Sequence, residues 1–96
     1  MIKKKYDEFS KRYLSDESRK IVNSDEGLLT HLGYATWNGE GWFKRFADTI
    51  DREVERGNKD PKKLLKKGLM DRKESGNRLI ASSAEKIENI IGTNLV

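Results

Sequence analysis

The sequence has no cysteine, one proline and one histidine. Without cysteine there are no disulfides, no thiol catalysis and no thiolate metal sites, and the redox compartment is left open. The single histidine, His31, is too few for a histidine-based metal cluster, and no phosphate loop or EF-hand loop is present. We therefore expect neither a metal nor a cofactor.

Long apolar runs are also missing. No stretch approaches the roughly 20 apolar residues that span a bilayer, so we expect no membrane span. The basic start, Met1 to Lys5, has no apolar run behind it, which predicts the absence of a signal peptide and synthesis in the cytoplasm.

The composition is that of a small, highly charged globular protein. Hydrophobic residues make up 34% of the 96 residues and charged residues 38%. This size predicts a single domain, residues 1–96, with one modest core. The formal net charge of +4 permits an anionic partner, such as nucleic acid or a cell-wall polymer, without requiring one.

Apolar residues recur at three- and four-residue spacing, and no segment shows sustained alternation. The pattern predicts an all-α, compact bundle of four to five short helices. Whether the first segment continues through Arg19–Val22 as one bent helix or as two is left open. Ser24 is the expected cap of the second helix, and Met70 joins the expected apolar side of the fourth. The helices are predicted to begin near Lys4, Asp25, Gly41, Pro61 and Arg78, and to end near Leu14, Trp37, Gly57, Ser75 and Ile91 before Gly92.

The densest aromatic stretch is 34–46, which holds both tryptophans. Tyr34, Trp37 and Trp42 frame the polar turn that begins at Asn38 and Gly39. One interpretation is a tight helix corner with an aromatic anchor on each side. The other is a groove in which an indole stacks on a sugar ring while Asn38 hydrogen-bonds its substituents. The candidate binding residues are Tyr34, Trp37, Asn38 and Trp42.

The segment Ala-Thr-Trp-Asn-Gly-Glu-Gly at 35–41 resembles Ala-Tyr-Asn-Ala-Gly-x-Gly, found in lysozyme-like peptidoglycan hydrolases such as soluble lytic transglycosylases and phage lysozymes. In the resemblance, Trp37 matches the aromatic residue and Asn38 the asparagine, while the glycine spacing departs by one residue. The resemblance implies a phage-derived module that binds or hydrolyses glycan strands of peptidoglycan. It also implies release by lysis or carriage in a virion.

The family's catalytic glutamic acid has no clean match here. Glu17 and Glu74 are each followed by serine, as in the family, but not by the rest of its motif. Both remain candidates for the acid, with a solvated or capping glutamate as the alternative. The resemblance therefore predicts a C-terminal lobe whose partners are glycan strands and a separate catalytic lobe or other subunits. Catalysis by this chain alone is left open.

A basic segment offers a different function. Lys62, Lys63, Lys66 and Lys67 lie on the predicted fourth helix and are suited to neutralising phosphates. The alternative hypothesis is thus a small basic helical phage accessory protein that binds nucleic acid or a protein partner. A solvated outer helix face and a purely structural subunit are the simpler interpretations. His31 is predicted to be a partly buried, hydrogen-bonded structural histidine.

Overall fold

The computed structural model describes residues 2–90, which form six α-helices and contain no strand. The predicted all-α bundle is confirmed, with six helices where four to five were expected. Across the described range, no helix is both long enough and apolar enough to cross a membrane. The helices are α1 (Ile2–Tyr13), α2 (Asp16–Asn23), α3 (Leu29–Thr36), α4 (Glu40–Glu55), α5 (Pro61–Lys73) and α6 (Arg78–Ile90).

The first segment divides because Ser15 caps a new helix. The Ser15 hydroxyl accepts a hydrogen bond from the Ser18 N–H at 3.1 Å, and the Ser15 N–H donates to Asp51 Oδ1 at 3.1 Å. A serine at this position satisfies a free N–H of the first turn. The side chain of Asp51, on α4, therefore holds the start of α2 against the bundle.

The cap of the next segment is Asp25, and the prediction of Ser24 is wrong. Asp25 Oδ1 accepts from the Gly27 N–H at 3.0 Å and begins a short 3₁₀ turn, Glu26–Leu28, that leads into α3. The Ser24 hydroxyl instead donates to the Ile21 carbonyl at 2.6 Å and closes α2. The Asp25 carboxylate lies one residue closer than the Ser24 hydroxyl to the free N–H groups of this turn, so Asp25 caps the turn and Ser24 does not.

The boundaries of α5 follow local signals. Asp60 Oδ1 accepts from the Lys62 N–H at 3.0 Å, and Pro61 occupies the first turn as predicted. Gly57 and Gly76 have φ values of 101° and 84°, in the left-handed region that favours glycine after a helix. The expected burial of Ile91 and the stop at Gly92 lie outside the described residues.

The centre of the core is a cluster of rings around Phe43. Its ring centroid lies 6.3 Å from that of Tyr6 and 5.5 Å from that of Phe9, both on α1, and 5.7 Å from that of Phe46. Phe43 and Phe46 are fully buried. The predicted apolar stripe of α4 is confirmed by the burial of Phe43, Phe46, Ala47, Ile50 and Val54.

The most extensive helix contact joins α4 to α5 and includes a close approach at Gly68. A Cβ atom on Gly68 would lie 2.5 Å from Phe46 Cε1, so the ring occupies the space that any side chain would need. The buried residues of α5 are Leu64, Leu65, Gly68, Leu69 and Arg72. This stripe turns Met70 to the edge, where it is 40% exposed, and its predicted inward position is wrong.

We expect Gly68→Ala to lower the free energy of unfolding by about 1–3 kcal/mol, because the buried Phe46 ring cannot move away without disturbing its neighbours. The matched control is Gly41→Ala, also inside a helix, where a new Cβ meets nothing within 4 Å. That control should be neutral or stabilising by up to about 1 kcal/mol. Urea unfolding followed by circular dichroism measures both, and equal midpoints would refute the close contact.

Candidate functional site at the tryptophan corner

The link between α3 and α4 is three residues long: Trp37, Asn38 and Gly39. The Trp37 N–H donates to the Tyr34 carbonyl at 3.0 Å, and the Gly39 N–H donates to the Thr36 carbonyl at 3.3 Å. Gly39 has a φ of 99°, which reverses the chain into α4. We call the four predicted site residues, Tyr34, Trp37, Asn38 and Trp42, the tryptophan corner.

The two indoles of the tryptophan corner have opposite environments. Trp37 is 62% exposed, whereas Trp42 is 7% exposed and stacks on Phe46 with centroids 5.5 Å apart and planes at 27°. Trp42 Nε1 is buried with no hydrogen-bond partner within residues 2–90. Trp42 therefore packs in the core, and of the two indoles only Trp37 has a largely exposed ring.

Trp37 is held from behind by Tyr34. Their ring centroids are 5.0 Å apart with planes at 77°, an edge-to-face contact. Tyr34 is half-buried and packs against the core. Asn38, the next residue after the indole, is also half-buried. An aromatic surface braced in this way, with an amide beside it, is suited to a flat or ring-shaped ligand.

A polar cluster that the sequence analysis missed fixes the start of α4. Glu40 Oε2 accepts from the Tyr13 hydroxyl at 2.6 Å, and Oε1 accepts from Arg12 Nη1 at 2.8 Å. The Tyr13 hydrogen bond, followed by Arg12, lowers the pKa of Glu40, and the same bond raises the pKa of Tyr13. The partners are 27 and 28 residues apart, so no local pattern could indicate them.

The two candidate acids lie in different places. Glu17, on α2, is exposed, forms an ion pair with Lys59, and lines an open hollow of about 660 Å³. Glu74 is an exposed residue that follows α5. It lines an open groove of about 960 Å³ between α4 and α5, which we call the seam groove. The seam groove reaches Gly41 in the aromatic stretch.

The four candidate lysines are exposed, as the solvated side of α5 requires. They occupy the first two turns of that helix, where the positive end of the helix dipole adds to their charge. Asp60 at the cap is the nearest acid in sequence and is engaged with the backbone of Lys62. The segment is thus a compact positive surface formed by Lys62, Lys63, Lys66 and Lys67.

His31 is buried on α3, and neither ring nitrogen has a hydrogen-bond partner in the described part of the chain. At 4% exposed, His31 is more deeply buried than the predicted partial burial, and the predicted hydrogen bond is not observed there. Burial lowers the pKa of His31 from its ordinary value of 6.5, because the imidazolium form loses its hydration. A neutral imidazole with this environment acts as a core side chain.

Comparison with protein-family models, curated proteins and solved structures finds no match to this chain. Its class is therefore defined by its own fold and site: a small helical bundle with one exposed indole at a tight corner.

The different environments of the indoles predict different quenching of their fluorescence. In Trp42→Phe, the remaining Trp37 should be quenched strongly by iodide and should emit at long wavelength, because its ring is exposed. In Trp37→Phe, the remaining Trp42 should be shielded from iodide. Circular dichroism controls for folding in both variants, and equal quenching constants would contradict the assigned exposures.

Acid should weaken the fold through His31. Its folded-state pKa is lower than its unfolded-state pKa, so the unfolded chain binds more protons, and stability falls as the pH drops below about 6.5. We expect His31→Leu to be less sensitive to pH over that window, since it removes the titrating group. Urea midpoints at about pH 7.5 and 5.5 measure the effect, above the range in which carboxylates titrate. An unchanged pH slope in the variant would refute this role.

Proposed function

We propose that this chain binds glycan strands of peptidoglycan, with the exposed indole of Trp37 as its stacking surface. The observation that carries the proposal is the contrast within the tryptophan corner. Trp37 keeps 62% of its surface in solvent, although Trp42, only five residues later in the sequence, is buried in the core. The Tyr34 ring supports the exposed Trp37 ring through an edge-to-face contact, with the two centroids 5.0 Å apart.

A pyranose ring is the ligand chemistry that best suits this surface. Sugar rings have faces of C–H groups that pack on an indole, and edges of hydroxyl and acetamido groups that need hydrogen bonds. Asn38 follows Trp37 directly and supplies an amide donor and an amide acceptor. Binding sites of this kind combine an apolar surface with a few convergent polar groups.

The resemblance of segment 35–41 to lysozyme-like hydrolases supports the same ligand. In this motif resemblance, Trp37 and Asn38 correspond to the aromatic residue and the asparagine that lie beside the glycan in those enzymes. The role proposed for Trp42 changes, because a buried ring anchors the corner without contacting a ligand. The proposed contact residues are therefore Trp37 and Asn38, with Tyr34 as the support.

The proposal is restricted to binding. A glutamic acid that protonates a glycosidic oxygen needs a partly apolar setting, and Glu17 and Glu74 are both exposed. Glu17 is also paired with Lys59. A turbidity or muropeptide-release assay tests catalysis separately, and any product would extend the proposal to hydrolysis.

The positive surface of α5 supports a second candidate function, the binding of nucleic acid. Four exposed lysines within two turns repel one another, and a phosphate chain would neutralise them. Its test is a gel shift at increasing salt, with all four lysines changed to glutamate. A salt-dependent shift abolished by the charge reversal would favour this function over glycan binding.

We expect Trp37→Ala to weaken binding to purified cell wall at least about tenfold, because a central aromatic contact contributes about 2 kcal/mol or more. The matched control is Leu79→Ala, which removes another exposed apolar side chain, 79% exposed on α6. Leu79→Ala should bind as the wild type does. A sedimentation assay with wall fragments measures both. Wild-type protein that stays in the supernatant, or equal losses in the two variants, would refute the proposal.

A further inference from the structure

The seam groove continues beyond its first hollow. A second hollow of about 240 Å³ shares Arg52, Asp71 and Glu74 with the first, so the two form one groove along the contact of α4 with α5. Its lining extends from Gly41 on α4 to Arg56, the residue just after that helix, a rise of about 22 Å at 1.5 Å per residue. A groove of this length accommodates about six residues of an extended chain at roughly 3.3 Å each.

Arg72 lines the seam groove and is only 4% exposed. Its Nη2 lies 3.6 Å from Asp71 Oδ2, beyond hydrogen-bond distance, and its Nε is buried without a partner anywhere in residues 2–90. A buried guanidinium ordinarily lies against a carboxylate that satisfies it through paired hydrogen bonds. The weak contact with Asp71 leaves Arg72 suited to a carboxylate brought by a ligand.

The walls of the seam groove carry charges of both signs. Lys44 and Arg45 are exposed bases, whereas Asp48 and Glu74 are exposed acids. A polymer with only negative charges would be repelled by the acids. A chain with both carboxylates and an amino group would find a partner for each.

Two further charges of the groove are already engaged within the fold. Asp51 accepts from the Ser15 N–H at 3.1 Å, and Arg52 Nη2 donates to Thr49 Oγ1 at 3.3 Å. The first contact ties α4 to the start of α2, and the second lies within α4 itself. The ligand contacts therefore fall to Arg72 and the exposed side chains around it.

We propose that the seam groove binds the peptide stem of the wall polymer, with a stem carboxylate at Arg72 and the stem amino group at Asp48 or Glu74. This inference rests on the proposed glycan function. Stem peptides branch from the sugar strand and combine carboxylates with a side-chain amine within a few extended residues. The groove begins at Gly41, four residues after Trp37 in the sequence, and the proposal requires one strand segment to reach both surfaces.

The test is calorimetry with three probes: free stem peptide released from purified wall, glycan strands stripped of peptide, and an unrelated mixed-charge hexapeptide. Wild-type protein should bind the first two and not the third. The double variant Asp48→Asn with Glu74→Gln, which removes both acids proposed for the amino group, should bind the stem peptide about tenfold more weakly and keep its affinity for stripped glycan. Trp37→Ala should show the opposite pattern.

The control Glu55→Gln with Glu85→Gln neutralises the same number of acids on exposed residues of α4 and α6 that do not line the groove. It should bind both wall probes normally. Arg72→Lys serves as a supporting variant, provided that circular dichroism shows it to be folded.

The outcomes distinguish failure of the stem-peptide site from failure of the proposed glycan binding. Binding of stripped glycan without binding of the stem peptide overturns the stem site and leaves the glycan function intact. Equal binding of the hexapeptide also overturns it and indicates a site for a protein segment. Failure of both wall probes removes the glycan function itself.

Discussion

The burial of Phe43 and Phe46 on one side of α4 is the constraint on which the bundle depends. Phe43 meets rings of α1, and Phe46 lies on Gly68 of α5, so a single helix face joins the two halves of the chain. Trp42 stacks on Phe46 and extends the same apolar surface to the start of the helix. Once these rings are buried, the position of the turn before α4 is fixed.

The two candidate surfaces follow from this arrangement. The chain leaves α3 through a three-residue turn, and the turn places Trp37 outside the bundle while Trp42 enters it. The side of α4 that does not enter the core carries exposed charges beside the end of α5. The aromatic surface thus lies in the turn just before α4, and the mixed-charge groove runs along that helix.

Much of the fold could be predicted because its signals are local. The cap at Asp60 and Pro61, the stop at Gly57 and the stripe of α4 each depend on a few neighbouring residues. The inward position predicted for Met70 is wrong because the buried face of α5 includes Gly68, which leaves room for the Phe46 ring. A scale of hydrophobicity gives a glycine no weight as a packing residue. At the site, spacing predicted an aromatic corner but could not separate the exposed indole from the buried one. The difference in exposure arises because Trp42, and not Trp37, stacks on Phe46. The hydrogen bonds to Glu40 come from Tyr13 and Arg12 on α1, which are distant in the sequence.

The contact between Tyr34 and Trp37 has a thermodynamic consequence. A side chain that rotates freely in the unbound protein gives up that freedom when a ligand settles on it, and affinity falls accordingly. The Trp37 ring already contacts a neighbour that is itself packed against the core, and this contact restricts its rotation before any ligand arrives. A ligand that stacks there therefore meets a partly preorganised ring, so the shape of the ligand's face contributes directly to discrimination among ligands.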